Sequence, residues 1–356
     1  MADDVDPEWR ARRLRYSGWR RLVRWEFWPT LPIYLPLAPV FFWCAVRYRS
    51  LMVATVVNPG MPSGGFVDDS KSDILEKLRP SGRIADFLVI SDTLDAGEQE
   101  VLLDGFLAKL EKPYPVVLKP EMGERGRGVL IARSREECLE YLRAAECSTI
   151  LQEHVAGVEY GVFYERAPEE EKGKITGITL KGKTEVTGDG KSSLEKLILG
   201  DERAVCLAPL FLEMHAESLE RVLEEGEVFA LNKLGTHSQG SLFLDAGDLW
   251  TEELEEAVDE ASRHFEGFYL GRYDVRVASA EEFQRGEGWK IVELNGVTSE
   301  PTHMYDPKHS VWYAWKTLAA QWCRAYRYGA QNRARGHEPL SLATLWKRVR
   351  EHSARL

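Results

Sequence analysis

Two stretches in the last third of the chain carry the two-residue period of half-buried β-strands: Leu270–Val277 and Trp289–Asn295. In a strand, residues i and i+2 project to one face. Arg272 and Asp274 therefore share a face, and so do Glu293 and Asn295. Upstream, residues 114–120 read as a buried strand ending at Lys119, followed by a turn rich in glycine (Gly123, Gly126, Gly128) and a second strand. Residues 149–160 read as strand, kink and strand, and 51–57 as a further strand. A helical period marks 251–265, 311–328 and, after Pro339, 342–351.

The N-terminal pattern is different. Residues 9–24 alternate arginines with Trp9, Leu14, Trp19, Leu22 and Val23, as in a basic amphipathic helix. Residues 31–46 are almost uncharged and aromatic, closed by Arg47 and Arg49. That run is short for a membrane span and is interrupted by Pro32, Pro36 and Pro39. It starts too late for a secretory signal and has no small-residue cleavage site. Three readings stay open: core packing, a membrane interface with arginines and tryptophans at headgroup depth, or the lining of an apolar substrate tunnel.

The side chains on the strands suggest chemistry. If the two C-terminal strands are neighbours, two carboxylates, an amide oxygen and a guanidinium converge. Hard oxygen donors at that density suit Mg²⁺, and the arginine suits a phosphoryl group. A solvated strand edge is the bland alternative. The glycine turn beside Lys119 could cradle phosphates with backbone N–H groups. It is neither a GxxxxGK[ST] nor a GxGxxG motif. The turn-rich segment 58–66, with Ser63-Gly64-Gly65, is either a connector or an anion-binding loop. His237 and His303 are candidates for positioning or deprotonating an acceptor, against the blander reading of polar loop residues.

The ordered set of motifs resembles the ATP-grasp superfamily, most closely its carboxylate–amine ligase branch, the D-alanine–D-alanine ligase-like enzymes. The resemblance spans about residues 71–307. It implies an α+β fold of two lobes sandwiching ATP, here with an atypical aromatic N-terminal segment and a helical C-terminal tail. By motif, Lys119 and Lys71 match the phosphate-contacting lysines, and Gly123, Gly126 and Gly128 the loop that closes over the phosphates. Gln152, Glu153 and Val155 match the hinge that reads adenine, and Glu159 the ribose contact. Asp274, Glu293 and Asn295 match the magnesium ligands, with Mn²⁺ as a substitute, and Arg272 the arginine at the transferring phosphoryl group. Residues 186–198 resemble a turn-plus-helix of cyanophycin-synthetase-like members.

Two departures stand out. Gln152 replaces the usual glutamate, so adenine would meet its amide oxygen or a backbone carbonyl. The family's N-terminal substrate-binding domain has no counterpart in residues 1–70. The organisation expected is a basic, aromatic segment (1–70), a small lobe (71–155), a large lobe with the metal site (156–307) and a helical tail (308–356).

Composition narrows the partners. At 356 residues, 44% hydrophobic and 29% charged, the chain can bury a substantial core. A net charge of −11 argues against non-specific nucleic-acid binding. The charge is uneven: residues 1–50 hold nine basic and five acidic groups, and 316–356 nine and two, leaving the middle strongly acidic. Five cysteines without a CxxC imply no disulfide framework and a reducing, cytoplasmic setting. Neither HExxH nor GxSxG occurs.

The resemblance implies that a carboxylate attacks the γ-phosphate of ATP to give an acylphosphate and ADP, which an amine then displaces. A thiol or hydroxyl acceptor would leave the same site intact. A non-catalytic nucleotide-binding module at a membrane surface is the other alternative, as is peripheral contact with the inner membrane face through residues 9–49. A homodimer is left open.

Overall fold

A computed structural model of the chain describes residues 5–67, 69–123, 126–232, 235 and 240–354. Glu124 and Arg125 of the glycine turn, and His237, lie outside the described residues. The architecture is mixed α+β with antiparallel sheets and a helical C-terminal segment, as the sequence predicts. The strands are β1 Phe87–Ile90, β2 Val116–Pro120, β3 Leu130–Ala132, β4 Thr149–Glu153, β5 Val158–Glu165, β6 Lys174–Gly182, β7 Glu185–Thr187, β8 Val228–Ala230, β9 Leu242–Asp245, β10 Leu270–Val277 and β11 Trp289–Asn295.

The chain forms two compact units. The first is drawn from residues up to Ala38, Leu180–Asp245 and His303–Lys316. It contains β9 and the antiparallel pair β7–β8, in which Glu185 faces Ala230. The basic N-terminal segment is a helix in this unit, Pro7–Val23, with Pro7 at its first position and Asp6 as the N-cap accepting from the N–H groups of Glu8 and Trp9. Three of its arginines, Arg10, Arg13 and Arg20, meet the unit's own acids and carbonyls. Arg10 pairs with Glu195 at 2.6 Å, Arg20 with Glu202 at 3.0 Å, and Arg13 donates to Leu199 O at 2.6 Å. Trp9 and Leu14 pack on the cluster of Leu194, Ile198, Leu199 and Phe211. Phe27 packs with Val205 and Cys206, while buried Glu26 meets Arg203 at 2.5 Å. Along residues 7–27 only Ser17, Glu26 and Phe27 are buried, and Trp19, Leu22 and Val23 stay exposed.

The second unit comprises Pro39–Thr179, Ala246–Thr302 and the residues from Thr317 onward. One antiparallel sheet runs β1-β4-β2-β3. Helices Ala96–Leu107 and Arg135–Ala144 bury Leu103, Cys138 and Leu142 with Val116, Leu118 and Leu151 of its strands. The other runs β11-β10-β5-β6, and β6 continues into the first unit. Helix Glu252–Arg263 lies with this sheet: Asp259 accepts from the Tyr164 hydroxyl at 2.7 Å, and Ser262 from that of Tyr273 at 2.9 Å. The outer side of β11 is closed by Ile291, which donates to Arg83 O at 2.6 Å and accepts from Ala85 N at 2.9 Å.

One expected strand is absent. Residues 51–57 contain a 3₁₀ turn, Val53–Val56, rather than a strand. The long helix Val311–Ala334 overrides the β-branched propensity: its buried Asn332 donates to Val56 O and Val57 O, both at 3.0 Å, satisfying carbonyls that a strand would pair laterally.

The aromatic run also departs from expectation. Thr30–Arg47 is helical despite its prolines, passing from Thr30–Tyr34 through a 3₁₀ turn at Leu35–Leu37 into Ala38–Arg47. Its 18 residues are long and apolar enough to cross a membrane by length and composition, and only 17% of them are buried.

Candidate active site

Strands β10 and β11 are antiparallel neighbours, with Arg272 opposite Asn295 and Asp274 opposite Glu293. The four side chains named from the sequence therefore occupy alternate rungs of one ladder, on one face, with the Tyr273–Leu294 rung between them. Arg272 Nε donates to Asp274 Oδ1 at 3.0 Å, its Nη2 reaches Oδ2 at 3.5 Å, and its Nη1 donates to Glu300 O at 3.1 Å. Asn295 Nδ2 donates to Asp274 Oδ2 at 3.3 Å. Burial pulls the Arg272 pKa down, but the Asp274 charge and hydrogen bond, with Glu293 and Glu300 beyond, leave it raised. Gly161 on β5 faces Asp274 and makes room for this arrangement: a Cβ there would sit 3.2 Å from Arg272 Cδ and 3.6 Å from Thr302 Oγ1.

Just beyond these rungs the ladder slips. Asp274 pairs with Glu293 but Val275 with Ile291, so Val292 is the extra residue of a β-bulge. Its carbonyl instead accepts from Lys119 Nζ at 3.2 Å and from Gln152 Nε2 at 3.4 Å. Lys119 is on β2 and Gln152 diagonally across from it on β4, where Val117 is the direct partner of Gln152. Lys119 Nζ also donates to Gln152 Oε1 at 2.9 Å. The side-chain oxygen expected to meet adenine is thus engaged by Lys119. Burial lowers the Lys119 pKa, opposed by the negative charge of Glu293 and reinforced by the positive charge of Lys71.

Lys71 begins the helix Lys71–Leu78, whose N-cap Ser70 accepts from Asp73 N. Its Nζ donates to Gly123 O at 2.6 Å and Glu121 O at 3.3 Å, holding the start of the glycine turn. Glu121 Oε1 in turn accepts from Ser70 Oγ at 2.7 Å, Ser72 Oγ at 2.9 Å and Ser72 N at 3.1 Å. Gly126 and Gly128 both take positive φ, 72° and 69°. The hinge after β4 contains Val155, half-buried. Glu153 pairs with Lys290 at 2.7 Å, and Glu159 with Arg276 at 3.3 Å.

The Ser63-Gly64-Gly65 loop does not offer its N–H groups to an anion. Those of Gly64, Gly65 and Phe66 donate to Met61 O, Pro62 O and Ser63 O. The loop serves instead as backing for the site: Thr298 Oγ1 donates to Gly65 O at 3.1 Å, and a Cβ on Gly65 would lie 2.5 Å from Gly296 Cα, one residue past Asn295. His303, in the first unit, is buried and neutral; burial pushes its pKa down to about 4.

As a cation site the donor set is two carboxylates and an amide, since among the described residues no three His, Cys, Asp or Glu side chains gather at one point. That set of hard oxygens, with buried Asp274 at its centre, fits Mg²⁺ once the Asn295 amide turns its oxygen inward. Sequence reasoning missed the Val292 carbonyl, Glu121 and Gly161. Glu121 adjoins the Lys119 strand, but a bulge leaves no mark in the residue pattern.

No family model matches the chain. It is 30% identical over 213 residues to a cyanophycin synthetase of Synechocystis sp., covering 54% of this chain and 24% of that one. Over 78 residues it is 34% identical to the 5-formaminoimidazole-4-carboxamide-1-(beta)-D-ribofuranosyl 5'-monophosphate synthetase of Pyrobaculum calidifontis, covering 22% and 23%. The chain thus spans about a quarter of the length of these curated relatives. They bear out the resemblance to ATP-grasp carboxylate–amine ligases. Among solved structures it overlaps loosely with the D-alanine–D-alanine ligase of Bacillus anthracis, with a TM-score of 0.44 and 14% identity over 81% of this chain and 72% of that one.

Proposed function

We propose that the protein is an ATP-dependent ligase that activates a substrate carboxylate as an acylphosphate and joins it to an amine, releasing ADP and phosphate. The observation that carries this is the convergence in one unit of Arg272, Asp274, Glu293 and Asn295 on paired rungs, with Lys119 anchored on the adjoining bulge, in a chain similar to a cyanophycin synthetase.

Transfer of a phosphoryl group needs positioning and charge neutralisation more than proton movement. Arg272 is pre-oriented for that task. Three of its five N–H groups are held by Asp274 and Glu300, which fixes the guanidinium plane and leaves the remaining two for phosphoryl oxygens. Lys119, desolvated among Gln152 and Val292, places a positive charge for the inner phosphates, and Lys71 a second one at the glycine turn. Asp274, Glu293 and Asn295 would hold Mg²⁺, which supplies further neutralisation of phosphate charge when bound. Gly126 and Gly128 permit the backbone conformations of a loop that covers the phosphates and keeps water from the acylphosphate. Adenine then pairs with backbone groups of 153–155, because the Gln152 oxygen is committed to Lys119. The cytoplasm is the setting that suits five free cysteines.

An ADP-release assay across a panel of carboxylates, with hydroxylamine as the trapping nucleophile, tests the reading. Hydroxamate formation dependent on ATP and Mg²⁺ is expected for the cognate acid. Nucleotide binding without ADP release or hydroxamate for any acid would make the protein a binding module instead.

A further inference from the structure

The helix Ala38–Arg47 has one face packed and one face bare. On the packed face, Phe41 meets Trp322 edge-on at 5.1 Å and Cys44 Sγ lies 3.7 Å from Cys323 Sγ. Just past its end, Tyr48 packs near Tyr326. On the other face Phe42, Trp43 and Val46, at positions i, i+1 and i+4, are 72%, 55% and 62% exposed. Leu51 continues the apolar surface beyond the turn. A basic rim closes it: Arg47 and Arg49 are exposed, and Arg333 reaches the same corner by donating to Tyr48 O at 2.8 Å. From Phe27 to Val67 the sequence contains no Asp or Glu, in a chain whose net charge is −11.

We propose that this face, Phe42, Trp43 and Val46 with Arg47 and Arg49, docks the protein on an anionic lipid surface. Aromatic side chains bordered by arginines suit the depth where acyl chains give way to headgroups. The local lack of acidic groups lets an acidic protein approach a negative bilayer with this face first. The helix lies on the membrane rather than crossing it, because Phe41 and Cys44 are committed to the helix Val311–Ala334 and cannot face lipid. This inference stands independently of the ligase chemistry.

Flotation of the full chain with phosphatidylcholine vesicles, with and without phosphatidylglycerol, reads the interaction directly. Binding is expected only with phosphatidylglycerol, weakened by salt and released by alkaline carbonate. Removing the two arginines together (Arg47→Gln, Arg49→Asn) should weaken binding about fivefold per charge. The triple variant F42S/W43S/V46S should lose at least about tenfold, and the single Phe42→Ser a smaller share should the triple variant melt early by circular dichroism. Brominated lipid should quench fluorescence less in Trp43→Phe. Any of three results overturns the proposal: no binding to anionic vesicles, full binding by the single and triple apolar variants, or resistance to carbonate. A concentration-dependent dimer in light scattering that the apolar variants abolish would assign the face to a second copy and overturn it equally.

Discussion

Replacing Asp274 with asparagine removes one charge and almost no volume, which makes the cost of the change readable. Asp274 and Arg272 are both largely buried, with Arg272 Nε on Oδ1 at 3.0 Å. Charge centres about 4 Å apart at an effective dielectric near 20 attract by about 4 kcal/mol. The Glu300 carbonyl and the new amide oxygen recover part of that, so the expected loss is about 3 kcal/mol, the lower end for breaking a buried pair. For a chain of this length that lowers Tm by roughly 4 °C. Arg272→Met should cost a similar amount by removing the buried carboxylate's positive partner. The double variant should recover about 2 kcal/mol relative to the sum, because neither charge is then stranded. Urea unfolding followed by circular dichroism, on the wild type and all three variants, closes the cycle. Additivity within about 0.5 kcal/mol would refute the reasoning, because it would mean Asp274 does not hold the arginine.

Other substitutions separate the roles in the site. Lys119→Met should chiefly raise the KM for nucleotide, whereas Arg272→Met should chiefly lower kcat, since its partner charge develops on the transferring group; steady-state ADP release distinguishes them. Glu293→Gln should abolish ADP formation while metal-free nucleotide binding, measured by calorimetry, persists. His303 has a folded pKa of about 4 against an ordinary 6.5, so the unfolded chain binds the proton first as pH falls. Its stabilisation is complete above pH 6.5 and is lost towards pH 4, up to ~3 kcal/mol. The urea midpoint of His303→Gln should therefore fall less steeply over that range than the wild type's. Gly65→Ala, at φ 85° and against Gly296, should destabilise by on the order of 2 kcal/mol or more, read by thermal melting.

The regular parts of the fold were legible because period and propensity agree there. Leu270–Val277 and Trp289–Asn295 are strands over the full length that their alternation predicts, and the helices Glu252–Arg263 and Leu342–Ser353 begin within a residue of where their helical period starts. From i, i+2 spacing alone, Arg272 with Asp274 and Glu293 with Asn295 were paired correctly by face, though not by rung. What could not be read depends on distant partners. Residues 53–56 look like a strand until Asn332 claims the carbonyls that follow. Arg10, Arg13 and Arg20 of Pro7–Val23 look like part of a free basic surface until Glu195 and Glu202, far along the chain, pair with them. The bulge at Val292 is fixed by the ladder on one side and Lys119 on the other, so no local pattern encodes it.

The contact between Gly65 and Gly296 also bears on how this sequence can drift. A methyl group on either residue would fall 2.5 Å from the Cα of the other, so neither position can gain a side chain while the other stays put. Relief cannot come from a compensating neighbour, because backbone meets backbone. The two glycines therefore behave as one inherited unit, 231 positions apart in sequence. Descendants that keep the loop against the Asn295 strand should keep both, and lineages that have lost one should have rebuilt the whole contact.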